Sequence, residues 1–248
     1  MFYHLHKLDT YSLANFLKYY PKAQLLTILR NPLQSCESWV RKKLNEHPAN
    51  KYKTYAGVIS KIGPMLMLLN SPAFSVQSSV GIRLEDIKTD PEKTMRRLCE
   101  YLGIEEAPSL YASTMQGLMW WGDPGSSLYG KTETDYDAAS DPTGMEVGSF
   151  FSDRDQFILN KLFYPLSSRF GYVDEDEGQF RKDLKEIRPY LEHPLDFEVT
   201  LAQDFPADYP DLEKTEAFKT LHGVLMGVWG LLDEQGTYPH MMDALPGA

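Results

Sequence analysis

Cysteine is nearly absent: Cys36 and Cys99 are the only two in 248 residues. Two thiols cannot build a disulfide framework or a cysteine-rich zinc site. Long hydrophobic runs are missing as well. The longest apolar stretch, Met65–Leu69, falls far short of the ~20 residues that cross a bilayer, so no membrane segment is expected. The opening MFYHLHKLDT has no basic stretch leading into an apolar one, and no signal peptide is read there. No internal repeat or low-complexity tract occurs. An excess of positive charge is also lacking, since the formal net charge is −10, which argues against general nucleic-acid binding. The expectation is a soluble protein of a reducing, cytoplasmic compartment.

With 42% hydrophobic and 12% aromatic residues, the chain has the composition of a folded domain. Its charge is unevenly spread. Residues 1–60 carry nine Lys/Arg against three Asp/Glu, whereas residues 174–248 carry six against seventeen. The basic first quarter could hold a small anion.

Short apolar runs alternate with helical patterns. Phe2–Leu8 reads as a strand, Tyr11–Tyr20 as a helix stopped by Pro21, and Ala23–Leu29 as a buried parallel strand. Arg30-Asn31-Pro32 then turns into a helix, with Asn31 as its cap and Pro32 at its first position. A helical region over Lys51–Asn70, interrupted at Gly63-Pro64, precedes the strand Ser79–Leu84. Thr89-x-x-Glu92 reads as a capping box for the helix Pro91–Leu102, which Gly103 closes. Asp123–Gly148 reads as a long loop, Ser152-x-x-Asp155 as the start of a helix ending near Phe170-Gly171-Tyr172. Two further helices are expected near Gln179–Tyr190 and Lys214–Leu232. This order argues an α/β fold, a parallel sheet flanked by helices.

Arg30 stands at the carboxyl end of a strand, where open α/β sheets bind ligands, and Ser38 follows eight residues later on the next helix. A guanidinium and a hydroxyl beside a helix N-terminus suit a phosphate. The same spacing also fits an arginine that caps a neighbouring carbonyl and a serine that faces water.

Several elements together resemble the sulfotransferase family that uses 3′-phosphoadenosine 5′-phosphosulfate (PAPS). They are Arg30-Asn31-Pro32 with Ser38, then Arg83-Leu84-Glu85-Asp86-Ile87, Asp90-Pro91 and Tyr101-Leu102-Gly103. Trp120-Trp121-Gly122 and Phe170-Gly171-Tyr172 are similar to its bacterial branch. The resemblance covers about residues 1–173, with residues 174–248 as an acidic helical extension. It implies a P-loop-NTPase-like sulfotransferase fold and transfer of a sulfuryl group from PAPS to a hydroxyl or amine. The acceptor is a small molecule, glycan or peptide, and no metal is called for. It also implies that Arg30 and Ser38 bind the donor's 3′-phosphate. That family begins with a Gly-rich loop close to Pro-Lys-Ser-Gly-Thr-Thr, which is not found before Arg30. The expectation is therefore an N-terminally incomplete fold with little transfer activity of its own, or a non-catalytic nucleotide-binding relative.

The family's general base is a histidine on the strand before the arginine strand. His6, 24 residues before Arg30, matches that place, and an imidazole suits a base at neutral pH. His4, His6 and Asp9 could instead be metal ligands, or ordinary residues near a terminus. Residues 125–132, GSSLYGKT, fit the phosphate-binding pattern of P-loop NTPases letter for letter. They lack the strand before and the helix after that this mechanism requires, and the match reads as accidental. Trp39, Tyr52, Tyr55, Trp120 and Trp121 read as core aromatics or as the lining of an acceptor cleft, and both cysteines as buried and inert.

Overall fold

The computed structural model describes residues 10–47, 49–72, 74, 79–111, 114–115, 118–119, 147–205 and 211–246. Outside them lie Phe2–Leu8 with His4 and His6, Trp120-Trp121-Gly122 and the 125–132 stretch.

The chain is α/β: a three-stranded parallel sheet flanked by helices, which make up most of the protein. Helix α1 (Thr10–Tyr19) is followed by β1 (Leu25–Leu29), α2 (Pro32–Glu46) and α3 (Lys51–Leu68). Next come β2 (Ser79–Arg83), α4 (Leu84–Thr89), α5 (Pro91–Leu102) and a two-residue antiparallel pair, β3 (Thr114–Met115) with β4 (Leu118–Met119). Helices α6 (Asp153–Leu162), α7 (Tyr164–Arg169), α8 (Glu177–Ile187), α9 (Asp196–Ala202) and α10 (Glu216–Gln235) lead to β5 (Asp243–Ala244). The sheet order is β1-β2-β5.

Four details depart from the sequence reading. Helix α3 runs through Gly63-Pro64 without interruption. Pro64 is exposed and removes one backbone bond, a cost of about 3 kcal/mol. The buried stripe Tyr55, Val58, Ile59, Ile62 and Leu66 outweighs it, at about 1.5–3 kcal/mol per buried side chain. Helix α5 is capped by Asp90, whose side chain accepts the Lys93 N–H at 3.2 Å, while Thr89 Oγ1 donates back to the Glu85 carbonyl at 2.9 Å. The helix capped by Ser152 divides at Phe163, because Pro165 has no N–H with which to continue the first helix. Strand β1 is not buried throughout: it is an edge of the described sheet, and Leu26 and Ile28 on one face are 39% and 60% exposed.

Two compact units share the chain. The first contains residues 31–79 and 146–243, together with the segment up to Leu25. In it α3 packs along α10, with α2, α6, α8 and α9 around the pair. Gly57 lets the Lys43 stem cross closely, since a Cβ there would lie 2.8 Å from Lys43 Cδ. Phe151 and Phe197 meet edge to face at 5.3 Å between centroids, and both are buried. Two helix starts cap each other here. Asp155 of α6 accepts the N–H groups of Asp196 and Phe197, each at 2.8 Å, and Ser152 Oγ donates to Asp196 Oδ2 at 2.6 Å.

The second unit comprises Leu26–Arg30, Val80–Met145 and Ala244–Ala248. Val80, Ile82, Ile87, Met95 and Leu245 form its buried cluster, which joins the sheet to α4 and α5. The Leu245 N–H donates to the Gly81 carbonyl at 3.0 Å and sets β5 beside β2. Gly103 ends α5 with φ +64°, and the Ile104 N–H returns to the Cys99 carbonyl at 3.0 Å.

Candidate functional site

Arg30 directly follows the last residue of β1 and is half-buried. The next residue, Asn31, caps α2: its Oδ1 accepts the Gln34 N–H at 3.2 Å and its carbonyl accepts the Ser35 N–H at 3.0 Å. Pro32 contributes no N–H. In the first turn of α2 the Gln34 and Ser35 donors are therefore engaged locally. Ser38 lies on α2, half-buried, in the second turn. Arg30 closes β1 in the second unit and Ser38 stands on α2 in the first, so the pairing of the two rests on their spacing in the sequence.

The acidic element after β2 is structural in the second unit. Arg83 Nε pairs with Asp86 Oδ1 at 3.3 Å, Glu85 is buried, and Thr94 Oγ1 donates to the Asp86 carbonyl at 3.0 Å. These contacts fasten β2, α4 and α5 to one another.

One residue that the sequence reading passed over stands next to Ser38. Glu37 is 2% exposed, and its carboxylate collects four donors from the residues before α6. The N–H groups of Gly148 and Phe151 reach Oε1 at 2.9 Å and that of Phe150 at 3.2 Å, while Ser149 Oγ donates to Oε2 at 3.2 Å. Arg41, one turn further along α2, donates to Ser149 Oγ at 3.3 Å. The signal was present: Leu33, Cys36 and Val40 mark the buried face of α2, and Glu37 falls on it. Cys36 is buried beside this carboxylate. Burial, and then the Glu37 charge, push its thiol well above the ordinary range, so it stays protonated and unreactive.

Trp39 is half-buried beneath three ammonium groups, with Lys61 Nζ at 4.3 Å and Lys42 Nζ at 4.7 Å from its ring. Tyr55 is wholly buried, and Tyr52 meets Phe205 edge to face at 5.4 Å. Among the described residues no His/Cys/Asp/Glu group is arranged to hold a metal ion, and no helix is long and apolar enough to cross a membrane.

Residues 8–108 match the model of the sulfotransferase family. That stretch is similar to a sulfotransferase domain. It runs from the region of α1 through β1, α2, α3, β2 and α4 to the end of α5, and so includes Arg30, Glu37 and Ser38. No curated protein and no solved structure matches the chain. The matched segment spans parts of both compact units, while α6 to α10 lie beyond it.

Proposed function

We propose that the protein transfers a sulfuryl group from PAPS to a hydroxyl or amine. The observation that carries this reading is the sulfotransferase match over residues 8–108, which includes a strand followed directly by Arg30 and an Asn31-capped helix bearing Ser38. The donor set fits a phosphate dianion. A guanidinium offers five N–H groups in a planar fork, a serine hydroxyl adds another, and the positive end of the α2 dipole favours negative charge. Arg30 and Ser38 would hold the 3′-phosphate of the nucleotide. The bound donor supplies an activated sulfuryl group. His6, outside the described residues, would take the proton of the acceptor as the new bond to sulfur forms and the bond to the leaving phosphate breaks. The acceptor class stays open between small molecule, glycan and peptide.

Calorimetric titration with 3′-phosphoadenosine 5′-phosphate tests the donor site. A charge-assisted bond contributes about 1.5–3 kcal/mol, so Arg30→Ala should weaken binding by roughly ten- to a hundredfold. Ser38→Ala should weaken it less, because a neutral hydroxyl contributes about 0.5–1.5 kcal/mol. Equal affinity of Arg30→Ala and wild type would remove the site from consideration.

A further inference from the structure

Three side chains far apart in sequence meet in the interior of the first unit, away from Arg30 and Ser38 in sequence and absorbed by no step above. Glu198 on α9 has no exposed surface, and His222 on α10 is 8% exposed. Tyr55 on α3 is fully buried. The Tyr55 hydroxyl lies 2.7 Å from Glu198 Oε1, and the Leu195 N–H donates to Oε2 at 2.8 Å. His222 Nε2 stands 2.7 Å from Glu198 Oε2, and its Nδ1 stands 3.0 Å from the Leu191 carbonyl.

The proton inventory of this cluster is fixed by chemistry. A carbonyl oxygen only accepts, so Nδ1 must carry hydrogen. Nε2 then faces a carboxylate oxygen, and a bond exists only if one proton sits between them, on the ring or on the acid. Without it, two lone pairs would oppose each other at 2.7 Å in a place closed to water. The cluster is therefore complete with one shared proton and broken without it.

We propose that Glu198 and His222, with Tyr55 donating to Glu198 from α3, form a proton-operated latch that fastens α9 to α10, and that loss of the shared proton opens it. Among the described residues, the groups facing the cluster are few. They are Tyr55 from α3, Glu198 from α9, the Leu191 carbonyl from the 188–192 turn, and Glu213 acting through space from the 212–214 turn. On α10 itself the Phe218 ring stacks on His222 at 4.0 Å. Arg188–Glu192 and Lys219–Glu216, other charges along these elements, each form an ion pair.

Burial alone would depress the His222 pKa. The hydrogen bond and the charge of Glu198, with the Leu191 carbonyl, outweigh it and hold the imidazole above its ordinary 6.5. The sign follows. In the open state His222 sheds its proton near pH 6.5, while in the closed state it keeps it to higher pH. Below 6.5 the latch contributes in full. Between the two values opening releases one proton, and its equilibrium constant rises about tenfold per pH unit. Above the closed-state value it levels off.

Nuclear magnetic resonance of the intact chain tests this without any variant. The His222 ring should carry hydrogen on both nitrogens at neutral pH and titrate above 6.5. Hydrogen exchange of the Leu195 amide, corrected for its intrinsic pH dependence, should accelerate up to about tenfold per unit above pH 6.5. His222→Gln should lose that dependence while wild type keeps it, and Tyr55→Phe serves if the glutamine variant does not fold. Removing the tyrosine donor leaves the carboxylate more basic, so its window should move to higher pH. A His222 ring that titrates at or below 6.5, or a corrected Leu195 exchange rate that is flat from pH 6 to 9, would overturn the latch.

Discussion

Replacing Glu37 by alanine removes a buried anion and leaves its four donors facing one another. The Gly148, Phe150 and Phe151 N–H groups and the Ser149 hydroxyl all lie within 3.2 Å of that carboxylate. A donor left unsatisfied in the interior costs about 1–3 kcal/mol, and water entering the space recovers part of it. Three of the four are backbone groups within residues 148–151, so relaxation of that short stretch recovers more of the cost than four independent sites would. The expected loss is about 3 kcal/mol, a large share of the 5–15 kcal/mol that holds a typical domain. For a chain of this size, it corresponds to a melting temperature about 6–12 °C lower. Glu37→Gln should lose less than the alanine variant, because its carboxamide oxygen can take the place of Oε1 for the three N–H groups while its NH2 donates to Ser149 Oγ, which can accept. Urea titration gives the stability, and hydrogen exchange localises it: the amides of 148, 150 and 151 should lose protection before those of α3. Wild-type stability in Glu37→Ala within about 0.5 kcal/mol, or unchanged protection at those three amides, would falsify the reasoning.

Two further substitutions separate capping from propagation. Asp155→Ala deprives the start of α9 of both oxygens that accept from Asp196 and Phe197, and chemical denaturation should show a loss of about 2–4 kcal/mol. Pro64→Ala should act in the opposite direction. It restores a helical N–H at an exposed position inside α3, and the same assay should report a gain of about 1–3 kcal/mol; a loss there would mean that the proline ring packs in a way its exposure does not suggest.

The fold was largely legible because its signals are local. Asn31-Pro32, Ser152 and Gly103 each mark a helix end through their own side chain or dihedral, and the structure uses each of them. Thr89 misled because Thr89 and Asp90 both precede Pro91, and the choice of cap depends on which residue reaches the Lys93 N–H. Helix α9 was missed because its buried residues, Phe197, Glu198 and Leu201, include a charge that periodicity counts as solvent-facing. The candidate site divides in the same way. Arg30 and Ser38 follow from spacing along one strand and helix. Glu37 accepts from residues 111 to 114 positions away, and Glu198 meets Tyr55 across 143, distances over which a single sequence carries no pairing signal.

The position of β5 has a consequence for biosynthesis. Strand β2 ends at Arg83 and pairs with a strand that begins at Asp243, and Leu245 fills the cluster of Val80, Ile82, Ile87 and Met95. Ribosomes add about 5–20 residues per second, so the intervening stretch delays completion of the sheet by roughly 8–30 s after β2 has been made. Throughout that interval a nascent sheet edge and the apolar slot meant for Leu245 stand open. They are the surfaces on which a chaperone would act, and slowing translation upstream of codon 243 would prolong their exposure.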